Sequence, residues 1–381
     1  MRTHSKIVCT LGPASNKPEI IEEMLAAGMD IARLNLSYGT LEEHSLFIAT
    51  VRELSRKRNH STGVMLDVPG YKRRSGDIEA VFSDHLEFAN SRKVDFIALS
   101  FITSAVEVSE IRDLMDKINP DIPLIVKIEK SQALENSQQI IEVSDGIMVA
   151  RGDLAHEISI EKVPLAQKRL IREANLRGKP VITATQMLES MVRSPGPTRA
   201  EATDVTNAVL DGTDAIMLSE ETSIGSYPIE AVGMMNRIAL EAETALPEEK
   251  PMNDLSYGVL PEVSDATARA ACQIARQVNA RAIVTFTAGG TTALRVSKYR
   301  PKQPIIAVTP NEDVVNRLTL PWGVIPVTKP EPADLEMDFE LAAEVALGMG
   351  IAEHGDLLVV TAGIPLKVPG QTNLLKVHKI Q

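Results

Sequence analysis

Residues 121–154, DIPLIVKIEKSQALENSQQIIEVSDGIMVARGDL, hold two short aliphatic runs, Leu124 to Lys127 and Gly146 to Val149, with a longer, polar-punctuated stretch between them. Short runs of this kind suit strands buried on both faces, and the intervening length suits a crossover helix. The same alternation extends in both directions. Strands are expected at Lys6 to Thr10, Ile31 to Asn35, Gly63 to Asp67 and Phe96 to Ser100 before it, and at Val181 to Thr185 and Ala215 to Leu218 after it. Helix-period segments fall between, among them Lys17 to Ala27, Leu41 to Arg58, Val106 to Ile118, Val163 to Arg177, Arg199 to Leu210 and Pro228 to Leu246. Eight strand and helix pairs in roughly 245 residues match a (β/α)8 TIM barrel, with a doubly wound sheet as the alternative. Pro247 to Pro261 is acidic, proline-bearing and without a period, as expected of a linker. Beyond it, a helix at Ser264 to Val278 and strands at Ala282 to Phe286, Pro304 to Val308, Val324 to Val327, Leu357 to Thr361 and Leu374 to His378 predict a smaller α/β domain. The expected domains are therefore 1–246 and 262–381.

Composition narrows the function classes. Of 381 residues, 44% are hydrophobic and 24% charged, the balance of a globular enzyme, and no apolar run approaches the ~18 residues of a membrane span. Forty Lys and Arg against 51 Asp and Glu give a net charge of −11, which argues against a nucleic-acid partner. The polar start MRTHSKIVCTLGP has no apolar signal region, so a cytoplasmic location is expected. Cys9 and Cys272 lack CxxC partners, which disfavours a disulfide framework or a cysteine zinc site. Seven histidines show no metal spacing, and GxGxxG, Walker and GxSxG patterns are absent.

In such barrels the chemistry sits at the carboxyl ends of the strands. Those ends carry Arg33, Asn35 and Ser37; Asp67, with Arg73 and Arg74 soon after; Lys127 and Glu129; Arg151, Gly152 and Asp153; Thr183, Thr185 and Gln186; and Ser219, Glu220 and Glu221. Glu129 and Asp153, read as lying on neighbouring strands, are oxygen donors suited to Mg2+ or Mn2+. Lys127, two residues before Glu129 in a strand, shares its face, so an ammonium should stand beside a metal carboxylate. The same spacing also suits a buried structural Lys-Glu pair. Arg33, Arg73 and Arg74 could fork onto an anion, and Gly152 could bring backbone N–H groups towards a carboxylate. In the second domain, Thr287-Ala-Gly-Gly-Thr-Thr292 reads as a small phosphate cradle or a plain glycine-rich turn.

KIVCTLGPAS (6–15), ARLNLSYG (32–39), VKIE (126–129), SDGIMVARGDL (144–154), KPVITATQMLESM (179–191) and PTRAEATDVTNAVLDGTDAIMLSEET (197–222) resemble the pyruvate kinase family in order and spacing. VSKYRPKQPIIAVTP (296–310) and TAGIPLKVPGQTNLLKVHKI (361–380) extend the resemblance into the second domain. It implies phosphoryl transfer between phosphoenolpyruvate and ADP, giving pyruvate and ATP, with Mg2+ and K+, in a homotetramer. Glu129 and Asp153 then resemble the Mg2+ ligands and Lys127 the group that stabilises phosphoryl and enolate charge. Arg33 resembles the phosphate-contacting arginine, and Asn35, Ser37 and Asp67 the K+ ligands. Ala150 to Asp153, Gly152 among them, and Thr185 resemble the carboxylate cradle and proton-relay region, and Ser219 and Glu221 the pair after the eighth strand; Arg74 stands as a further candidate substrate contact on its charge. Thr287, Gly289, Gly290, Thr291 and Thr292 lie where the family can hold a phosphorylated effector.

The departures are specific. Asp67 is followed by Val68-Pro69-Gly70-Tyr71 where the family shows threonine and lysine, and Tyr38, Ala155 and Glu220 replace a histidine and two glycines. The family also inserts a small β domain, a lid, after the third strand, whereas here Arg74-Ser-Gly76 passes directly into a helical segment at Asp77 to Lys93. Two functions are therefore expected: a lidless pyruvate kinase with weakened nucleotide binding, or a homologue that binds metal and 2-oxo acids for enolisation, decarboxylation or aldol-type chemistry, or simply as a binding protein.

Overall fold

The computed structural model describes residues 3–70, 78–118, 121–246, 262–330, 335–363 and 371–381. The chain divides into two compact units, Met1–Leu246 and Pro247–Gln381. In the first, β1 (Lys6–Thr10), β2 (Ile31–Asn35), β3 (Gly63–Val68), β4 (Phe96–Leu99), β5 (Leu124–Ile128), β6 (Gly146–Ala150), β7 (Val181–Ala184) and β8 (Ala215–Leu218) pair in sequence order. All pairs are parallel, and β8 closes onto β1 with Lys6 opposite Ala215. Helices follow the strands and cover the outside, so the strands are buried on both faces and read as unbroken apolar runs.

The amino-terminal end of this barrel repeats one device four times. Asp30, Asp95, Asp145 and Asp214 each stand immediately before an even-numbered strand. Each donates its own N–H to the carbonyl of Ile7, Val64, Leu124 or Val181 in the preceding odd-numbered strand. Its carboxylate then accepts the N–H of that same residue, at 2.9, 2.7, 2.9 and 3.0 Å respectively. The side chain thus satisfies a strand-end donor that would otherwise be buried without a partner.

At the opposite end the strands stop where the backbone leaves the extended region. β4 ends at Leu99 and β7 at Ala184, each one residue short of the sequence expectation, because Phe101, Thr185 and Gln186 adopt φ of +61°, +70° and +53°. β6 runs one residue past its expected end, and Arg151–Glu157 is helical from its first residue. Asp153 therefore lies in a helix and not on a strand beside Glu129. Nine residues join β3 to the helix Ile78–Ser91, and 71–77 among them lie outside the described residues, as does the expected linker at 247–261.

The second unit is a five-stranded sheet of β9 (Ala282–Phe286), β10 (Ile305–Thr309), β11 (Val324–Thr328), β12 (Leu357–Ala362) and β13 (Leu374–Lys379), in the order β11-β10-β9-β12-β13. All pairs are parallel except β12 with β13. Strand alternation sorts the core: Ile283, Ile305 and Val359 pack with Ala268, Ala271 and Ala275 of the helix Val263–Gln277. Val284, Ile306 and Val360 face Phe339, Ala342 and Val345 of the helix Leu335–Gly348. Among the described residues no helix is long and apolar enough to cross a membrane.

Candidate active site

Four charges converge at the carboxyl ends of β2, β3 and β5. Arg33 of β2 sends Nε and Nη2 to Asp67 Oδ2 at 2.9 and 2.6 Å, and its Nη1 to Thr10 Oγ1 at 2.8 Å. Lys127 Nζ lies 3.5 Å from Asp67 Oδ1, 3.3 Å from Glu129 Oε2 and 2.8 Å from Ser100 Oγ. Ser100 Oγ in turn donates to Asp67 Oδ1 at 3.1 Å. The side chains of Arg33, Asp67, Lys127 and Glu129 are 8%, 2%, 12% and 1% exposed, so removing one partner would strand a desolvated charge. Burial acts on both carboxyls in the same sense, yet their pKa values move in opposite directions. At Asp67 burial is outweighed by Arg33 and Lys127, which hold the group below its ordinary value. At Glu129 burial wins, against Lys127 and the Phe101 N–H and reinforced by the charge of Asp153, so its pKa is raised.

Beside this cluster, the turn after β7 is fixed by a buried arginine. Arg151 donates Nη2 to Thr185 O at 2.7 Å and to Gln186 O at 3.3 Å, and pairs Nη1 with Asp204 Oδ2 at 2.7 Å. Asp204 is carried by the helix Arg199–Asp211, whose capping box joins Thr198 and Glu201. Arg151 is thus a bracket for two left-handed residues. Gly152 N–H donates to Thr185 Oγ1 at 2.7 Å, and that hydroxyl donates to Ala184 O at 2.6 Å. After β8, Glu221 is buried and accepts Leu188 N–H at 3.0 Å and Ser219 N–H at 2.7 Å. Burial raises its pKa despite those bonds.

The structure therefore brings Arg33, Asp67, Lys127 and Glu129 into one network, and Gly152 against Thr185. Asn35 is opposite Asp67 in the β2–β3 register, and its Oδ1 accepts the N–H of exposed Ser37 at 3.1 Å. Asp153 is exposed on the helix after β6. Arg73 and Arg74 lie outside the described residues. In the second unit Thr287 Oγ1 accepts Gly290 N–H at 3.0 Å, Gly290 (φ +88°) opens the helix Thr291–Lys298, Gly289 has open space around it, and Thr292 Oγ1 shares a hydrogen bond of 2.8 Å with Thr372. Thr10, Ser100 and Phe101 join the site without being among the residues expected there from the sequence. Ser100 follows an aliphatic run as directly as Asp67 does and was open to the same carboxyl-end argument.

Among the described residues no three His, Cys, Asp or Glu side chains form a ready metal cage. Two carboxylates, Glu129 and Asp153, are nevertheless a sufficient protein share for Mg2+ or Mn2+, which keeps water and substrate oxygens in its remaining positions. The donor chemistry fits.

The family model described as "Pyruvate kinase, barrel domain" matches residues 2–84 and 79–232, and that described as "Pyruvate kinase, alpha/beta domain" matches 265–378. Pyruvate kinase of Geobacillus stearothermophilus is 36% identical over 474 positions, covering 100% of this chain and 81% of that protein. Pyruvate kinase of Bacillus licheniformis is 38% identical over 470 positions, covering 99% and 80%. That of Staphylococcus aureus (strain MRSA252) is 36% identical over 469 positions, with the same two shares. An alignment of 474 positions against 381 residues leaves 93 with no residue here, and the two pieces of the barrel match overlap at 79–84, next to the nine-residue join after β3. The lid insertion is missing. On the two family models and these relatives, the chain belongs to the pyruvate kinase family.

Proposed function

We propose that the chain transfers a phosphoryl group between phosphoenolpyruvate and ADP, giving pyruvate and ATP. The observation that carries this reading is Lys127, held among Asp67, Ser100 and Glu129 at the strand ends. An ammonium fixed in a buried site can stabilise charge that develops on the bridging oxygen as the P–O bond breaks, without reorganising at that moment. Arg33 takes the phosphoryl oxygens, and the main chain at Gly152 and Asp153 orients the substrate carboxylate, Asp153 through its N–H and Gly152 by its bond to Thr185 Oγ1. Thr185 relays a proton to the enolate carbon, with Ser219, Glu221 and Arg74 as further substrate contacts. Glu129 and Asp153 would hold Mg2+ or Mn2+, which supplies Lewis-acid polarisation of substrate oxygens when bound. Asn35, Ser37 and Asp67 offer oxygen donors to K+, and Thr287 to Thr292 a place for an effector phosphate. A cytoplasmic homotetramer completes the proposal. In a coupled assay of pyruvate formation, Lys127→Met is expected to lower kcat by about 100-fold or more. Turnover equal to wild type in that variant would sink the reading.

The nine-residue join after β3 favours a second reading, in which the same lysine and carboxylates enolise a bound 2-oxo acid. Exchange of pyruvate methyl protons with deuterated solvent, in Mg2+ but without nucleotide, is its signature.

A further inference from the structure

The chain at the end of β4 is bent against its own residue type. Phe101 holds φ +61°, a conformation that bulky L-residues rarely adopt. The bend turns the Phe101 N–H onto Glu129 Oε1 at 2.5 Å, while Oε2 of the same carboxylate stays 3.3 Å from Lys127 Nζ. Two neighbours lie against it. Lys130 Nζ lies 5.3 Å from the Phe101 ring centroid, and Lys130 is itself tied to Glu157 at 2.7 Å. From the other side Gly70 approaches so closely that a Cβ would stand 2.1 Å from Ser100 O and 2.6 Å from Phe101 Cδ2. The first of these is backbone, which cannot swing aside.

We infer that Phe101 is a positioning residue for metal binding: its main-chain N–H, braced by Gly70, fixes the Glu129 carboxylate in the orientation a divalent cation takes up. The inference rests on the proposed role of Glu129 as a ligand. A hydrogen-bonded ligand is pre-organised, and loss of such an outer partner weakens metal binding by roughly 10–100-fold. The ring is not the operative group; the backbone is.

The test is Mn2+ binding to the full chain without substrate or nucleotide, read as free Mn2+ by electron paramagnetic resonance. Phe101→Val, β-branched and averse to positive φ, is expected to bind about tenfold more weakly or worse. Phe101→Gly keeps the N–H and accepts positive φ freely, so its affinity is expected within about threefold of wild type. Gly70→Ala pushes on the same turn and should weaken binding as Phe101→Val does, with little added by combining the two. Equal loss in Phe101→Val and Phe101→Gly overturns the inference, because it makes the ring responsible. Wild-type affinity in both Phe101→Val and Gly70→Ala overturns it as well. Should Phe101→Val lose cooperative unfolding, Gly70→Ala against wild type decides. If Mn2+ binding is lost in Glu129→Gln but indifferent to positions 70 and 101, the positioning role alone falls. If wild type binds no Mn2+, the ligand reading falls and takes the inference with it.

Discussion

Glu221 puts two backbone donors and a carboxylate into a space where the charge is poorly solvated. Its pKa is raised by burial, so the contribution of this group to stability is full below the pKa of the unfolded chain and lost as pH rises through the higher folded value. Glu221→Gln does not titrate, and where the protonated acid turns one carbonyl and one hydroxyl oxygen to Leu188 and Ser219, its amide offers a single acceptor oxygen and sets an NH2 against the second N–H. Urea unfolding should therefore find the variant less stable than wild type at pH 4, by a margin that narrows at pH 8. A margin that widens with pH would contradict the assignment. At this scale the Lys127–Glu129 contact was legible, because two residues apart in a strand means one face. The Phe101 contact with Glu129 was not. Its donor is a main-chain N–H, which every residue but proline carries, so no residue type marks the one that turns inward. Thr185 could be named but its geometry could not, since its left-handed backbone depends on Arg151, 34 positions earlier.

The strands were legible as elements because burial on both faces leaves an apolar run with few other readings, and their ends were less so because a strand end is set by what the next residues bond to. Asp153 shows the cost: the helix that carries it begins directly at Arg151, with no loop to announce it. The four aspartates at the opposite end were visible as Asp followed by an aliphatic strand, yet their pairing needs the neighbouring strand in place. Each ties one strand pair. Asp214→Ala leaves the Val181 N–H buried without its side-chain acceptor and is expected to cost about 1–3 kcal/mol in chemical unfolding. Its kcat should stay at the wild-type value, since the change lies at the far end of the barrel. A normal unfolding midpoint would show that the tie contributes nothing.

Two units, each with its own apolar core, make up the molecule. The barrel closes on itself through β8 and β1 within residues 1–246, so that stretch expressed alone is expected to unfold in one cooperative transition. A gradual, non-cooperative loss of signal would show that it depends on the rest of the chain. What sequence length could not convey is which end of the barrel can bear change. The aspartate ties all sit at the amino-terminal ends of the strands, whereas the join after β3, beside which the two pieces of the barrel match overlap, opens at the carboxyl-terminal ends. The barrel has a foundation end and an editable end. Evolution can add or delete an entire module on the editable side without disturbing the masonry that keeps the ring shut, and an engineer seeking to graft a new cover over Lys127 has the same freedom at the same place.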